Sequence, residues 1–325
     1  MEVTIRQPGV LSTIQDLGRP GRRQLGITPG GAMDALSLRL ANVLVGNPES
    51  SAAVEMTLRG ASLHFDHDAL AAICGGEFTV SLDGVGHSTQ RPFRIGRDST
   101  LSVGAARRGC RAYLAVAGGF EIGSILGGRG TDLRAGIGGV QGRALLADDI
   151  LHARNIDVPP IPSGWFLADD WLPDLSGRVM LRSLRGEHMD EFDKSIFDHA
   201  FQVSAQSDRM GLRLRGEPFQ RTRGAELLST AVMTGTVQVP PDGHPIILAA
   251  DCQTIGGYPR IAHIVTADLP TLGQLRPGDT VRFVEVDLET ARAALAEQAL
   301  NLRKLRIGLA GRLPWVRTDA CSAWT

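Results

Sequence analysis

The residues best suited to chemistry lie in one short stretch, 251–258, between two apolar runs. Asp251 directly follows the apolar run 245–250, and a carboxylate buried at that depth needs hydrogen-bond donors or a cation. The stretch also holds an amide, a hydroxyl, two glycines that allow close backbone approach, and an aromatic ring. These residues are Gln253, Thr254, Gly256, Gly257 and Tyr258. The pattern predicts a substrate site with Asp251 as a proton-transfer group, while an ordinary hairpin with a capped corner remains the alternative.

Two glycine-rich segments are the next candidates. The first, 8–34, is punctuated by glycine and proline and carries Gln15, Asp16 and Arg19 with little apolar periodicity. Loops of this length inside a compact domain are uncommon unless they are functional, although an irregular surface connection is the alternative. The second segment, 117–133, contains Arg129. Its backbone amides could hold a phosphate, but it has neither a P-loop nor a well-placed dinucleotide fingerprint.

Composition narrows the classes of function. The chain has 325 residues and a formal net charge of −1, so it offers no basic field for nucleic acid and no polybasic membrane anchor. We find neither a bilayer-length apolar stretch nor signal-peptide features, and we expect a cytoplasmic protein. The four cysteines are far apart and lack zinc-ligand spacing, so no metal site is expected. Only two lysines occur, so anion contacts must come mostly from arginine or backbone amides.

The hydrophobic pattern predicts a mainly β protein of two related domains. Short alternating runs separated by glycine, aspartate and serine turns recur in both halves, which is typical of barrels or sandwiches. Asp34 precedes a predicted helix at 35–45, and a second helix is expected near 190–199. The expected division begins with a first β domain at 1–155, whose N-terminal segment is expected to pack on the second domain. A linker at 156–177, a second β domain at 178–288, and a C-terminal helix with a frayed tail at 289–325 follow.

A resemblance to a known family rests on a series of ordered motifs. They read TIQDLGRPG, GAMD, LRLANVLVGNPE, YLAVAGG, SDRMGLRL, VQVPPDGHPIILAADCQTIGGYPRIA and LRPGD, within residues 3–286. The chain resembles the carboxyltransferase-type proteins called allophanate hydrolase subunit 2, a family that includes the C subunit of bacterial 5-oxoprolinase, the antagonist of a sporulation kinase inhibitor, and the carboxyltransferase region of urea carboxylase. The chain departs from the family at the glycines of GGRGTD. It also departs at Arg185-Gly186-Glu187-His188, where relatives tend to have a Pro-Gly-Pro-Gln turn.

The resemblance implies two cyclophilin-like β-barrel domains and a heteromer with a subunit 1/B-like partner. The expected activity is an ATP-dependent amide or lactam hydrolase, with ATP used at the level of the complex. The alternatives are a biotin-dependent carboxyltransferase, with biotin on a separate carrier, and a non-catalytic binding partner of a kinase-inhibitor-like protein. For the lactam reaction, Asp251 or Asp16 would exchange the amide proton. The substrate-binding candidates are Gln15, Arg19, Asp34, Arg129, Arg209, Gln253, Thr254, Gly256, Gly257 and Tyr258.

Overall fold

The computed structural model describes residues 1–157, 160–161, 167–168 and 171–316. These residues form two compact units. Unit 1 comprises 1–18, 35–173 and the chain from 299 onward, and unit 2 comprises 19–34 and 174–298. The segment 19–34 therefore belongs with the second half of the chain. Part of the expected linker and the end of the expected tail lie outside the described residues.

Unit 1 is built on one large antiparallel sheet. Among the described residues its nine strands are β1 Glu2–Gln7, β2 Leu11–Gln15, β3 Ala53–Thr57, β4 Ser62–Phe65, β5 Ala69–Leu82, β6 Val85–Gly86, β7 Pro92–Ile95, β8 Ser99–Val116 and β9 Ile150–His152. The strand order is β2-β3-β8-β4-β1-β9, with β5 paired to β6, β7 and β8. The long strands β5 and β8 pair over most of their length, with register shifts between Gly75 and Val80. Such bulges bend a sheet and increase its twist.

Unit 2 contains a closed barrel. The described strands of this unit are β10 Arg178–Arg185, β11 Ala200–Val203, β12 Gly211–Arg215, β13 Thr230–Ala231, β14 Thr236–Gln238, β15 Ile246–Leu248, β16 Ile255–Gly256, β17 Arg260–Ile264 and β18 Thr280–Glu285. The barrel order is β10-β17-β14-β15-β12-β11-β18, closed by the parallel pair β10 and β18. The remaining strands, β13 and β16, form a separate two-stranded ribbon. The predicted mainly β class is confirmed.

Alternation along the strands fills the two cores. In β10, Val179, Leu181 and Ser183 are buried while Arg178 and Met180 are exposed, as expected when one face of a strand lines a barrel. The core of unit 1 is likewise formed by alternate residues of its sheet. No helix among the described residues has both the length and the apolar character needed to cross a membrane.

The helices begin and end largely where their sequence signals indicate. The described α-helices are α1 Ala35–Leu44, α2 Leu269–Gln274 and α3 Leu288–Ala310. Gly46, at φ +77°, donates its N–H to Val43 and ends α1 as predicted. The predicted fraying after α3 is wrong for the residues up to 316. Leu313 is fully buried, and Trp315 Nε1 donates to Leu44 O at 3.1 Å.

The helix predicted near 190–199 is also wrong. Two short 3-10 turns, Met189–Glu191 and Ile196–Asp198, occupy this region. The backbone N–H of Asp193 donates to Gln220 O, and Thr222 N–H donates to Glu191 O. Because these backbone groups bond to a neighbouring segment, they cannot form a continuous helical ladder.

Candidate functional site

Asp251 is held by a buried arginine. Its carboxylate accepts two hydrogen bonds from Arg209, with Nε to Oδ2 at 2.7 Å and Nη2 to Oδ1 at 3.0 Å. Both side chains are only 7% exposed. The Asp251 N–H also donates to Arg209 O at 2.9 Å, so the two residues are joined through backbone and side chain. A bidentate guanidinium provides the cation that a carboxylate at the end of an apolar strand requires.

The segment 19–34 packs on this ion pair. Arg209 Nη2 donates to Gly31 O at 2.6 Å, and the Gly30 N–H donates to Ala250 O at 3.2 Å. Arg19 is fully buried. A Cβ added at Gly30 would lie 3.4 Å from Arg19 Nη1 and 3.7 Å from Asp251 Oδ1, so these two side chains flank the glycine. The structure therefore brings together Arg19, Arg209 and Asp251, which are far apart in sequence.

Asp34 lies at the end of the same segment and is buried. Its Oδ2 accepts a hydrogen bond from Gln274 Nε2 at 2.7 Å. The chain is also close-packed next to this bond, because a Cβ added at Gly273 would lie 2.3 Å from Met33 O. Asp34 thus helps to hold α2 against the 19–34 segment, and its predicted contact with substrate stays a prediction.

In unit 1, Asp16 organises a glycine-rich loop. Its carboxylate accepts backbone N–H groups from Gly18 at 2.8 Å, Arg129 at 2.6 Å and Gly130 at 3.1 Å. The Arg129 side chain is exposed, and its Nε donates to Ile122 O at 3.2 Å. A carboxylate that receives three backbone donors fixes the conformation of both segments. Its predicted proton-transfer role stays a prediction.

Gln15 is buried beside this loop. Its Nε2 donates to Thr13 Oγ1 and to Thr131 O, both at 3.1 Å. Within the described part of the chain, neither Gln15 Oε1 nor Thr131 Oγ1 has a hydrogen-bond partner, although both side chains are fully buried. Gly130 leaves little room here, since a Cβ at that position would lie 2.7 Å from Gln15 Oε1.

The predicted glycine and tyrosine contacts line a cavity in unit 2. Its volume is about 270 Å³, just below the range of about 300–1,000 Å³ that is usual for small-molecule sites. One wall is the β13–β16 ribbon, where Thr230 pairs with Gly256. The lining residues are Glu187, His188, Glu226, Leu227, Leu228, Thr230, Gly256, Gly257, Tyr258 and Arg260. The two predicted side chains nearest in sequence, Gln253 and Thr254, are half-buried and are not among them.

Arg260 connects the walls of this cavity. Its Nη1 donates to Thr230 Oγ1 at 2.5 Å, and its Nη2 donates to Glu187 Oε2 at 2.7 Å. Its backbone N–H donates to His188 Nδ1 at 3.3 Å, while the His188 N–H donates to Arg260 O at 3.0 Å. Sequence reasoning missed Arg260 and Thr230 as lining residues. It noted Glu187 and His188 only as departures from the family pattern. That departure was the sequence signal that could have identified the part of the cavity lining formed by these two residues.

Two further groups of unit 2 titrate away from their usual range. Desolvation by burial raises the pKa of the Cys252 thiol, despite a contact with Thr234 that acts in the opposite direction. A thiol with a raised pKa is a poor nucleophile near neutral pH. Desolvation also lowers the pKa of His263, whose Nδ1 lies 3.3 Å from Thr236 Oγ1. Over the described residues, no group of three or more histidines, cysteines or carboxylates is arranged to hold a metal ion.

Comparison with known proteins places this architecture in a family. The model for the carboxyltransferase domain, subdomains A and B, matches residues 25–285, which is most of the chain. The chain belongs to the carboxyltransferase domain family. Among curated members of this family, the chain is 39% identical over 93% of its length to the 5-oxoprolinase C subunit of Escherichia coli K12, of which it covers 96%. The corresponding protein of Haemophilus influenzae is 37% identical over 91% of the chain and is 94% covered.

A solved member of the carboxyltransferase domain family confirms the fold. The crystal structure of the K. lactis urea amidolyase superposes on 93% of the chain with a TM-score of 0.86 and 30% sequence identity. The chain spans 20% of that much longer protein. The same fold therefore occurs as one region of a much longer protein.

Proposed function

We propose that this chain is the C subunit of an ATP-dependent 5-oxoprolinase. The observation that carries the proposal is full-length correspondence: two curated 5-oxoprolinase C subunits are 37–39% identical to the chain and are covered over 94–96% of their own length. The identity to urea amidolyase is lower, and the chain corresponds to a small part of that protein. A shared length and a shared fold favour a shared role within a complex.

In the proposed reaction, water opens the C–N bond of a lactam while ATP is cleaved to ADP and phosphate. The protein must hold the ligand, activate its amide oxygen and manage the amide proton. We assign ATP to the level of the complex with a subunit 1/B-like partner, because the chain has no phosphate-binding lysine motif. The lining of the unit 2 cavity, with two carboxylates and one guanidinium, also suits a polar ligand better than a triphosphate.

Asp251 and Asp16 remain the candidates for proton exchange. The geometry supports a more specific form of this role for Asp251: Oδ2 would stay on Arg209 Nε at 2.7 Å, while Oδ1, whose contact with Nη2 is longer at 3.0 Å, would exchange the proton. Gln253 and Thr254 are candidates to bond the amide from the same corner. Arg19, Arg129 or Arg209 would contact a substrate carboxylate, as alternatives.

The test is ATP cleavage by the purified chain, by its subunit 1/B-like partner and by the co-expressed pair. We expect a stable heteromer by light scattering, with 5-oxoproline-dependent ATP cleavage only by the complex. Urea and allophanate are the comparison substrates. Robust ATP turnover by the chain alone would contradict the assignment of ATP to the complex, and a complex that ignores 5-oxoproline would reject the substrate.

The second candidate is a biotin-dependent carboxyltransferase, which the TM-score of 0.86 to urea amidolyase favours. In this case the backbone amides near Gly256 and Gly257 would stabilise an oxyanion while a carboxylated biotin on a separate carrier protein enters the site. Transfer of labelled carboxylate from such a carrier to urea, with no response to 5-oxoproline, would select this function. Partner binding without either activity would select the non-catalytic role.

A further inference from the structure

A histidine, His188, lines the cavity of unit 2, and its contacts define which ring nitrogen accepts a hydrogen bond and which can donate one. His188 is only 6% exposed, yet it lines the cavity. Its Nδ1 faces the backbone N–H of Arg260 at 3.3 Å, and a backbone N–H can only donate. In the neutral ring Nδ1 is therefore the acceptor, and the proton resides on Nε2. Nε2 has no hydrogen-bond partner among the described residues, so the ring offers one unused N–H donor.

The positive charge in the cavity is already balanced by carboxylates, so little of it is available to bind an anion. The guanidinium of Arg260 is paired with Glu187 at 2.7 Å and also bonds Thr230. Glu226 contributes a second carboxylate to the lining. Apart from the His188 ring, whose Nδ1 accepts a hydrogen bond, the lining holds two carboxylates and one guanidinium, which is one more negative than positive charge. A phosphate or an isolated carboxylate would meet net repulsion there.

The remaining groups match an amide. A carbonyl oxygen requires a donor such as His188 Nε2–H, and an amide N–H requires an acceptor such as Glu226 or the Leu227 carbonyl. The backbone at Gly257 passes close to that carbonyl, because a Cβ added there would lie 3.4 Å from Leu227 O. A side chain at position 257 would therefore fill the space next to the acceptor.

We propose that this cavity binds the amide group of a small lactam or ureide, and that His188 determines this specificity by donating its Nε2–H to the carbonyl oxygen. Tyr258 forms the apolar part of the wall, and the Arg260–Glu187 pair holds His188 and the ribbon in place. The inference rests on the proposed function only for the identity of the physiological ligand. It offers the His188 cavity as an alternative position for the ligand amide to the Asp251 corner proposed above, and predicts that the amide group is recognised in preference to the carboxylate.

Histidine side-chain NMR of the full chain tests the proposal with defined probes: 2-pyrrolidinone, which is a lactam without a carboxylate, urea, and proline, which has a carboxylate without an amide. We expect 2-pyrrolidinone and urea to shift the Nε2 resonance that is absent in His188→Gln, and proline to leave it unchanged. His188→Ala should weaken lactam binding about three- to tenfold, the usual range for one hydrogen bond. His188→Gln should retain more affinity, because its amide can reproduce both the donor and the acceptor.

His199→Gln, in the same unit but outside the cavity lining, is the matched control and should bind like the parent chain. Thermal melting of each variant separates a lost ligand contact from a lost fold. In the complex, His188→Gln should raise the KM for 5-oxoproline more than it changes kcat. If the parent complex is active on 5-oxoproline and both His188 variants have the same KM as the parent, the inference about His188 is wrong while the proposed function stands. If the lactam binds at His188 but the complex is inactive on 5-oxoproline, the proposed function is wrong while the inference about His188 stands. A resonance shifted equally by proline rejects amide recognition.

Discussion

Replacing Asp251 by asparagine should destabilise unit 2, because it removes the carboxylate that neutralises the buried Arg209. Two charge-assisted bonds of 2.7 and 3.0 Å join side chains that are each 7% exposed. The amide oxygen of asparagine can accept from one guanidinium nitrogen, but its NH₂ group would face the other donor. Removing one partner of a buried ion pair costs about 3–5 kcal/mol. At about 2–4 °C per kcal/mol for a domain of this size, the melting temperature should fall by about 6–20 °C.

The assay is chemical and thermal denaturation of the full chain, with ATP cleavage by the complex measured below the transition. Asp190→Asn is the control, since it breaks the pair with Arg185 in the same unit where both side chains are exposed, and it should leave stability nearly unchanged. The double variant Asp251→Asn, Arg209→Gln removes both charges and should recover part of the loss. An Asp251→Asn variant with parental stability would refute the structural reasoning. If that variant also lost at least about 100-fold in rate, the result would support a proton-transfer role for Asp251.

Two further predictions concern packing and pH. Gly139→Ala should destabilise unit 1 more than Gly136→Ala does in denaturant titrations. Both glycines have positive φ, but only a Cβ at Gly139 would meet another atom, Thr131 Oγ1 at 1.9 Å. Equal losses of unfolding free energy in the two variants would show that backbone strain alone decides the cost. His263 should make stability fall as pH decreases from 7 to 5, because burial lowers its folded-state pKa, so that below about 6.5 the unfolded chain takes up a proton that the folded chain does not. The His263→Gln variant should lose this slope in melting curves between pH 5 and 7, whereas His152→Gln, at a side chain 59% exposed, should keep it.

The sequence predicts the elements better than it predicts the partners of polar residues. The alternation of apolar residues correctly indicates a mainly β fold, and Gly46 correctly marks the end of α1. By contrast, the composition near 190–199 favours a helix, but hydrogen bonds to Gln220 and Thr222 prevent it. Local propensity describes what a segment favours alone, and it is overridden when backbone groups find partners elsewhere in the chain.

In the candidate site, too, the sequence indicates which residues need partners but not which residues those partners are. A carboxylate after the apolar run at 245–250 requires hydrogen-bond donors or a cation, and that requirement can be read directly from the position of Asp251. Among the many arginines, however, sequence spacing cannot select Arg209, which is 42 residues away. Likewise, a glycine-rich loop beside Asp16 suggests function, while the backbone donors from Arg129 and Gly130 come from more than 110 residues along the chain.

The sequence by itself therefore determined the fold class, the family resemblance and the need of its buried polar groups for partners. Only the tertiary structure decided that Asp251 pairs with Arg209, that residues 19–34 belong to unit 2, and that His188 lines a cavity while its Nδ1 faces the Arg260 N–H. The physical reason is that hydrophobic periodicity is a local property of the chain, whereas the satisfaction of a buried charge or hydrogen-bond donor depends on which distant segments the closed barrel brings within about 3 Å.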